Sequence, residues 1–209
     1  MRRATRAAAL LIAAGVAVAG EAAEETFRWP VPEGWKSETI PFPLEFAKDL
    51  PYSGVEELRF APGMFAPDQD GYWSYAFLWW LDGRPALGAA ELQDALKRYF
   101  AGLITAVAKD KGFPVDPARF SASIQAAPRP QGKLGHDVEA FAGTVDSYDG
   151  FKTGAPIVLE VEVWVWDCAA KRAALMLASP KPPTAPIWSL LRQRRDEVAC
   201  HAPVEAPRP

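Results

Sequence analysis

Trp73-Ser-Tyr-Ala-Phe-Leu-Trp-Trp-Leu81 is the stretch that decides the fold. Alternate residues of a strand point to opposite faces. Tyr75, Phe77, Trp79 and Leu81 therefore share one side, and Ser74, Ala76, Leu78 and Trp80 the other. Both sides are largely apolar, which predicts a central strand covered by a layer on each face. Asp82-Gly83 turns the chain out of it.

Downstream, Glu91 to Lys111 reads as a long helix. Leu92, Leu96, Tyr99, Leu103 and Val107 recur at steps of three and four residues, and Phe100 and Ile104 widen the stripe. Glu91 in the first turn and Lys109 and Lys111 in the last complement the helix dipole. Gly112 is a stop signal, with Pro114 two residues beyond. The second half reads as strands over Arg119–Gln125, Asp137–Asp146, Ile157–Cys168 and Ala173–Ser179, antiparallel because their connections are short. Leu159, Val161, Val163 and Val165 form one face of the longest strand, and Glu160, Glu162, Trp164 and Trp166 the other. Pro180, Pro182, Pro183 and Pro186 then break the chain. Thr184 is the expected cap of a last helix carrying Ile187, Leu190, Leu191 and Val198, with Arg192, Arg194 and Arg195 as a basic flank. Upstream, Lys36–Phe42 and Val55–Phe60 read as short strands, the first at an edge because of Pro41 and Pro43. Trp29-Pro-Val-Pro-Glu-Gly-Trp35 is too proline-rich for helix. The expected class is α+β: an antiparallel sheet with a long mid-chain helix and a C-terminal helix, packed as a sandwich.

The composition fits one globular domain. Of 209 residues, 49% are apolar and 23% charged, which excludes whole-chain disorder. A net charge of −3 leaves no nucleic-acid footprint. Arg2, Arg3 and Arg6, the 13-residue run Ala7–Ala19 and the small residues Ala17-Val18-Ala19 read as a signal peptide cleaved near Ala19. The run is shorter than the roughly 20 residues a spanning helix needs, so no permanent membrane anchor is expected. Removing three of the 23 basic residues leaves 20 against 26 acids, a net −6 for an exported protein, periplasmic or secreted. The expected organisation is a signal peptide over 1–19, one α+β domain over 20–200 and a flexible proline-bearing tail over 201–209.

Export changes how the two cysteines read. In an oxidising compartment Cys168 and Cys200 are each other's only possible partners, and the bridge would contribute about 3–4 kcal/mol. Two free thiols or a reactive cysteine are the rival readings. No metal or cofactor motif is present: two Cys and two His fall short of a zinc set. His136-Asp137 lacks the serine turn of a hydrolytic triad. Asp68-Gln-Asp-Gly71 lacks the terminal Glu of a calcium loop, and it and Asp146-Ser-Tyr-Asp-Gly150 read as acidic turns. The eight tryptophans read first as core. The best candidate ligand-binding residues are Trp164 and Trp166 beside Glu160 and Glu162. Indoles offer platforms for sugars or other ligands, and carboxylates at i and i+2 on one strand face could do acid–base work on a glycoside.

The order of elements resembles the PsbP-like fold of exported and lumenal accessory proteins, beginning at Pro32-Glu-Gly-Trp35. Phe60-Ala-Pro-Gly-Met-Phe65 and Trp79-Trp-Leu81 are similar to segments of exported bacterial proteins without an assigned activity. Neither resemblance brings catalytic residues. They imply a non-catalytic exported accessory or binding module with an envelope protein as partner. A Trp-lined small-molecule or glycan binder and a carboxylate-dependent hydrolase are the alternatives.

Overall fold

The computed structural model describes residues 26–129 and 137–201. The segment read as a signal peptide over 1–19, His136 and the segment read as a tail from 202 onward lie outside the described residues. The elements are β1 (Thr26–Arg28), β2 (Lys36–Pro41), β3 (Gly54–Phe60), β4 (Tyr75–Asp82), α1 (Ala89–Lys111), β5 (Ser121–Ala126), β6 (Glu139–Tyr148), β7 (Pro156–Cys168), β8 (Lys171–Ser179), α2 (Pro186–Asp196) and β9 (Ala199–His201).

The large sheet has seven strands in the order β2-β3-β4-β8-β7-β6-β5, every neighbouring pair antiparallel. It consists of two meanders, β2–β4 and β5–β8, joined where their last strands pair. Both β4 and β8 are therefore interior, and both are buried along nearly their whole length. The two-faced pattern of Trp73–Leu81 has this cause. Tyr75, Phe77, Trp79 and Leu81 enter one core with Tyr99, Phe100 and Ile104 of α1. Ala76, Leu78 and Trp80 enter a second, with Trp188 and Leu191 of α2. Gly112 ends α1 in the left-handed conformation, φ 70°, which a residue without Cβ adopts at little cost.

Three details differ from the sequence expectation. The residue capping α2 is Ala185, not Thr184, and no side chain caps it. Pro186 takes the first helical position, which leaves Thr184 one residue outside. The last helix is shorter than its apolar stripe: α2 stops at Asp196, before Val198, and Cys200 lies in β9 opposite Phe27 of β1. His201 continues that strand, one residue into the segment read as tail. A three-residue strand is too short to show alternation, so neither β1 nor β9 announces itself in sequence.

Candidate functional site

Seven strands at about 4.8 Å spacing make a face roughly 30 Å wide, while a helix with its side chains is about 10–12 Å across. α1 packs chiefly along β5 and β6. Beyond β4, where Tyr99 of α1 stacks on Phe77, the β2–β3 part of the same face is left to the loops over 42–53 and 61–74. They cover it incompletely, and a cavity of about 220 Å³ remains between them, the sheet and the second half of α1.

Its floor is Ile40 of β2, Leu58 and Phe60 of β3 and Tyr75 of β4. Tyr99, Leu103 and Val107 of α1 form one wall; Leu103 and Val107 stay half-buried because the helix passes over the opening. Phe46 closes one end, seated edge-on against Tyr99 at 5.2 Å between centroids. Gly102 makes that seat possible, since a Cβ there would collide with the Phe46 carbonyl oxygen. Phe65, 39% exposed, stands at the mouth against Phe60 and Phe151.

Asp149 fastens the mouth. Its carboxylate accepts from Tyr72 Oη at 2.6 Å, Trp73 Nε1 at 2.9 Å, Thr153 Oγ1 at 2.7 Å and the backbone N–H groups of Phe151, Lys152 and Thr153. Burial alone would raise its pKa, but the bonds from Trp73, Tyr72, Thr153 and Lys152 outweigh it and hold the carboxyl below its ordinary value. So this residue of an acidic turn ties the β6–β7 loop to the β3–β4 loop. The same bond helps hold Trp73 in a left-handed backbone conformation, φ 55°, that a bulky residue seldom adopts.

Behind the floor lies a polar cluster. Glu56 is 0% exposed. Its Oε1 accepts from Trp79 Nε1 at 3.0 Å, and its Oε2 has no partner among the described residues. Burial pushes its pKa up to about 7, against the opposing Trp79 bond and the nearby Tyr99 hydroxyl. The Tyr99 hydroxyl faces both Glu56 and Tyr75, and burial raises the pKa of both tyrosines well above the usual value. The Tyr75 hydroxyl is buried beside that of Tyr99, in the same cluster.

The residues singled out from the sequence lie on the opposite face. Trp164 and Trp166 are 4% and 6% exposed, in the second core. Glu162 receives Arg192 of α2 in two bonds, Nε at 3.1 Å and Nη2 at 2.5 Å. The Arg195 guanidinium stacks on Trp164 at 4.9 Å. Glu160 is half-buried between Thr144 and Ser179 on the neighbouring strands. The structure thus brings Glu162, Trp164 and the basic flank of α2 together, with the helix laid over the platform. Trp166 borders a broad open cleft of about 660 Å³ beside β9. The acids of that cleft are already paired: Asp167 with Arg172 and Arg84, Asp196 with Arg195, Glu197 with Arg194. Cys168 and Cys200 form a disulfide, with Cα atoms 6.0 Å apart, and it ties β9 to the end of β7.

No family model matches the chain, and no curated protein matches it. Among solved structures it is similar to LpqN of Mycobacterium tuberculosis, described as involved in cell envelope biogenesis. The two are 14% identical over 88% of each chain, with a TM-score of 0.33. Among the described residues, no helix is long and apolar enough to cross a membrane.

Proposed function

We propose that this chain is a non-catalytic, exported binding module of the bacterial envelope, PsbP-like in element order, and that the cavity beside α1 is its binding site. One observation carries the reading: an open cavity of about 220 Å³ whose walls are almost wholly aromatic and aliphatic, with few polar groups among them. Three supports surround it. The disulfide suits an oxidising compartment, and the leader suits export. The acid pair offered by sequence for hydrolysis has one member, Glu162, engaged by Arg192. The reading covers an apolar group offered free or carried on an envelope protein.

The test is a titration of the mature, oxidised protein with isopropylbenzene, followed by methyl NMR. Saturable shifts at Leu58, Met64, Leu103 and Val107 are expected, and Val107→Trp, which fills the opening, should remove them. Shifts confined to the surroundings of Trp164 and Trp166 would move the site to the α2 face. No saturable shift anywhere would end the cavity reading.

A further inference from the structure

We propose that the outer edge of β2 receives an extended segment of a partner protein as a further antiparallel strand, with one aromatic or aliphatic side chain of that segment anchored in the cavity. The anchor rests on the reading above that the cavity is the binding site; the strand pairing does not.

The large sheet ends in β5 on one side and β2 on the other, and the two edges differ. Beyond β5, the Ala127 N–H donates to the oxygen of Ala140, next in the β5–β6 register, at 2.8 Å. Odd-numbered residues of β5 therefore face β6, and even-numbered ones turn their backbone groups outward. The outward N–H of Ile124 is met by Gln93 Oε1 of α1 at 3.4 Å, and α1 packs along the strand, so this edge is covered. At β2 the Phe42 N–H donates to the oxygen of Gly54, next in the β2–β3 register, at 3.0 Å. Even-numbered residues of β2 therefore face β3, and Ser37 and Thr39 turn their N–H and C=O groups outward. No hydrogen bond among the described residues engages those groups. Lys36 to Thr39 are all exposed, and Pro41, which has no N–H, ends the row of donors. Donors and acceptors alternating along an exposed strand match another extended main chain.

The side chains say what that strand carries. Lys36, Glu38 and Ile40 share the α1 face, and Glu38 and Ile40 line the cavity. An aromatic side chain reaches across-strand neighbours about 7–8 Å away, so one opposite Ile40 can lean over it onto the apolar walls. Glu38 enters none of the ion pairs formed among the described residues, and a basic residue opposite it gains a partner. Lys36 favours an acid in the same way. An antiparallel partner runs the other way along β2, so its order is apolar, any, basic, any, acidic. A second copy of this chain fits less well. The antiparallel register that uses Ser37 and Thr39 of both β2 strands sets Glu38 against Glu38, and like charges directly opposed destabilise a pair.

The probe is a blocked peptide of threonine in which phenylalanine, lysine and glutamate stand, in that order, at alternate positions. It is titrated into the mature, oxidised protein and followed by amide NMR. Saturable shifts and slowed hydrogen exchange are expected at the Ser37 and Thr39 amides. N-methylation of the threonine between phenylalanine and lysine removes the N–H that meets the Thr39 carbonyl, and should weaken binding about tenfold. N-methylation of the lysine, whose N–H turns away from β2, should change it by no more than about twofold. Replacing the phenylalanine by alanine should cost about tenfold, and exchanging lysine and glutamate about threefold. Thr39→Pro removes an outward N–H at an edge, where proline is tolerated, and should lose the peptide while keeping isopropylbenzene. Its thermal melt checks the fold, and Ser37→Pro repeats the test at the neighbouring outward position. If isopropylbenzene binds and the peptide does not, strand addition is wrong and the cavity stands. Peptide binding indifferent to both N-methylation and Thr39→Pro would also end it, leaving only a ring in the cavity. Binding that needs Thr39 but ignores loss of the phenylalanine keeps the strand and removes the anchor. A concentration-dependent dimer in sedimentation, abolished by Thr39→Pro, would make the occupant a second copy and overturn the separate partner.

Discussion

Glu56 is the residue most at odds with its surroundings. It is an acid with one satisfied oxygen in an aromatic core, faced by Tyr75 from β4, Tyr99 from α1 and, at longer range, Glu38 from β2. Its folded pKa of about 7 lies above the ordinary 4.5. The folded state therefore holds the proton more tightly than the unfolded chain. That contribution is present in full below about pH 4.5 and is lost as pH rises through about 7. The difference is worth on the order of 3 kcal/mol. Glu56→Gln keeps an acceptor for Trp79 and cannot ionise. Urea unfolding from pH 5 to 8 should show wild-type stability falling relative to the variant, which becomes the more stable protein at pH 8. Parallel profiles would mean that Glu56 stays in contact with water. The sequence held a clue to its place: Glu56 alternates with Leu58 and Phe60, so the apolar pair draws it inward. With Glu57 adjacent and charged as well, the pattern reads equally as a solvated edge, and only the order β2-β3-β4 decides it.

At the scale of elements, α2 shows what strand periodicity can and cannot say. The two faces of β7 are legible from alternation, and both are observed. What covers the Glu162–Trp164 face is not, because the helix that does so lies some 25 residues on and its docking depends on pairs across that gap. Arg192 meets Glu162 and lies over Trp188 at 5.5 Å, Arg195 lies over Trp164, and Arg194 over Trp35 at 5.1 Å. Each arginine covers an indole while its charge finds an acid or solvent, so the basic flank of α2 also serves as packing surface. The Arg192–Glu162 pair is two-point but partly exposed, at 35% and 18% of the side chains. Screening therefore limits its coupling to about 1 kcal/mol. A double-mutant cycle with Arg192→Ala and Glu162→Ala, read by urea unfolding, should return a coupling of that size. A value indistinguishable from zero would mean that α2 is held by its apolar residues and indole contacts alone. The cavity was less legible than either helix. Its walls come from β2, β3, β4, α1 and three loops, and each contributes residues that read locally as ordinary core.

For the whole molecule, the sheet divides two jobs between two faces. One face carries α1, the Glu56 cluster and the cavity; the other carries α2 and the disulfide, through which the β1–β9 ribbon is fixed to β7. The bridge spans 32 residues in sequence and should stabilise the fold by about 3–4 kcal/mol, chiefly by restricting the unfolded chain. That stabilisation reaches the cavity only through the shared sheet, whose interior strands β4 and β8 are held on both sides regardless of the ribbon. Stability and binding should therefore separate. The Cys168→Ser/Cys200→Ser variant should unfold at lower urea, by a difference of about that size, while its affinity for isopropylbenzene stays within about twofold of the oxidised protein as long as it is folded. If binding weakens in step with stability under conditions where circular dichroism shows the fold intact, the two faces are coupled. The ribbon would then belong to the binding machinery, because loosening one layer would have shifted the strands that floor the other.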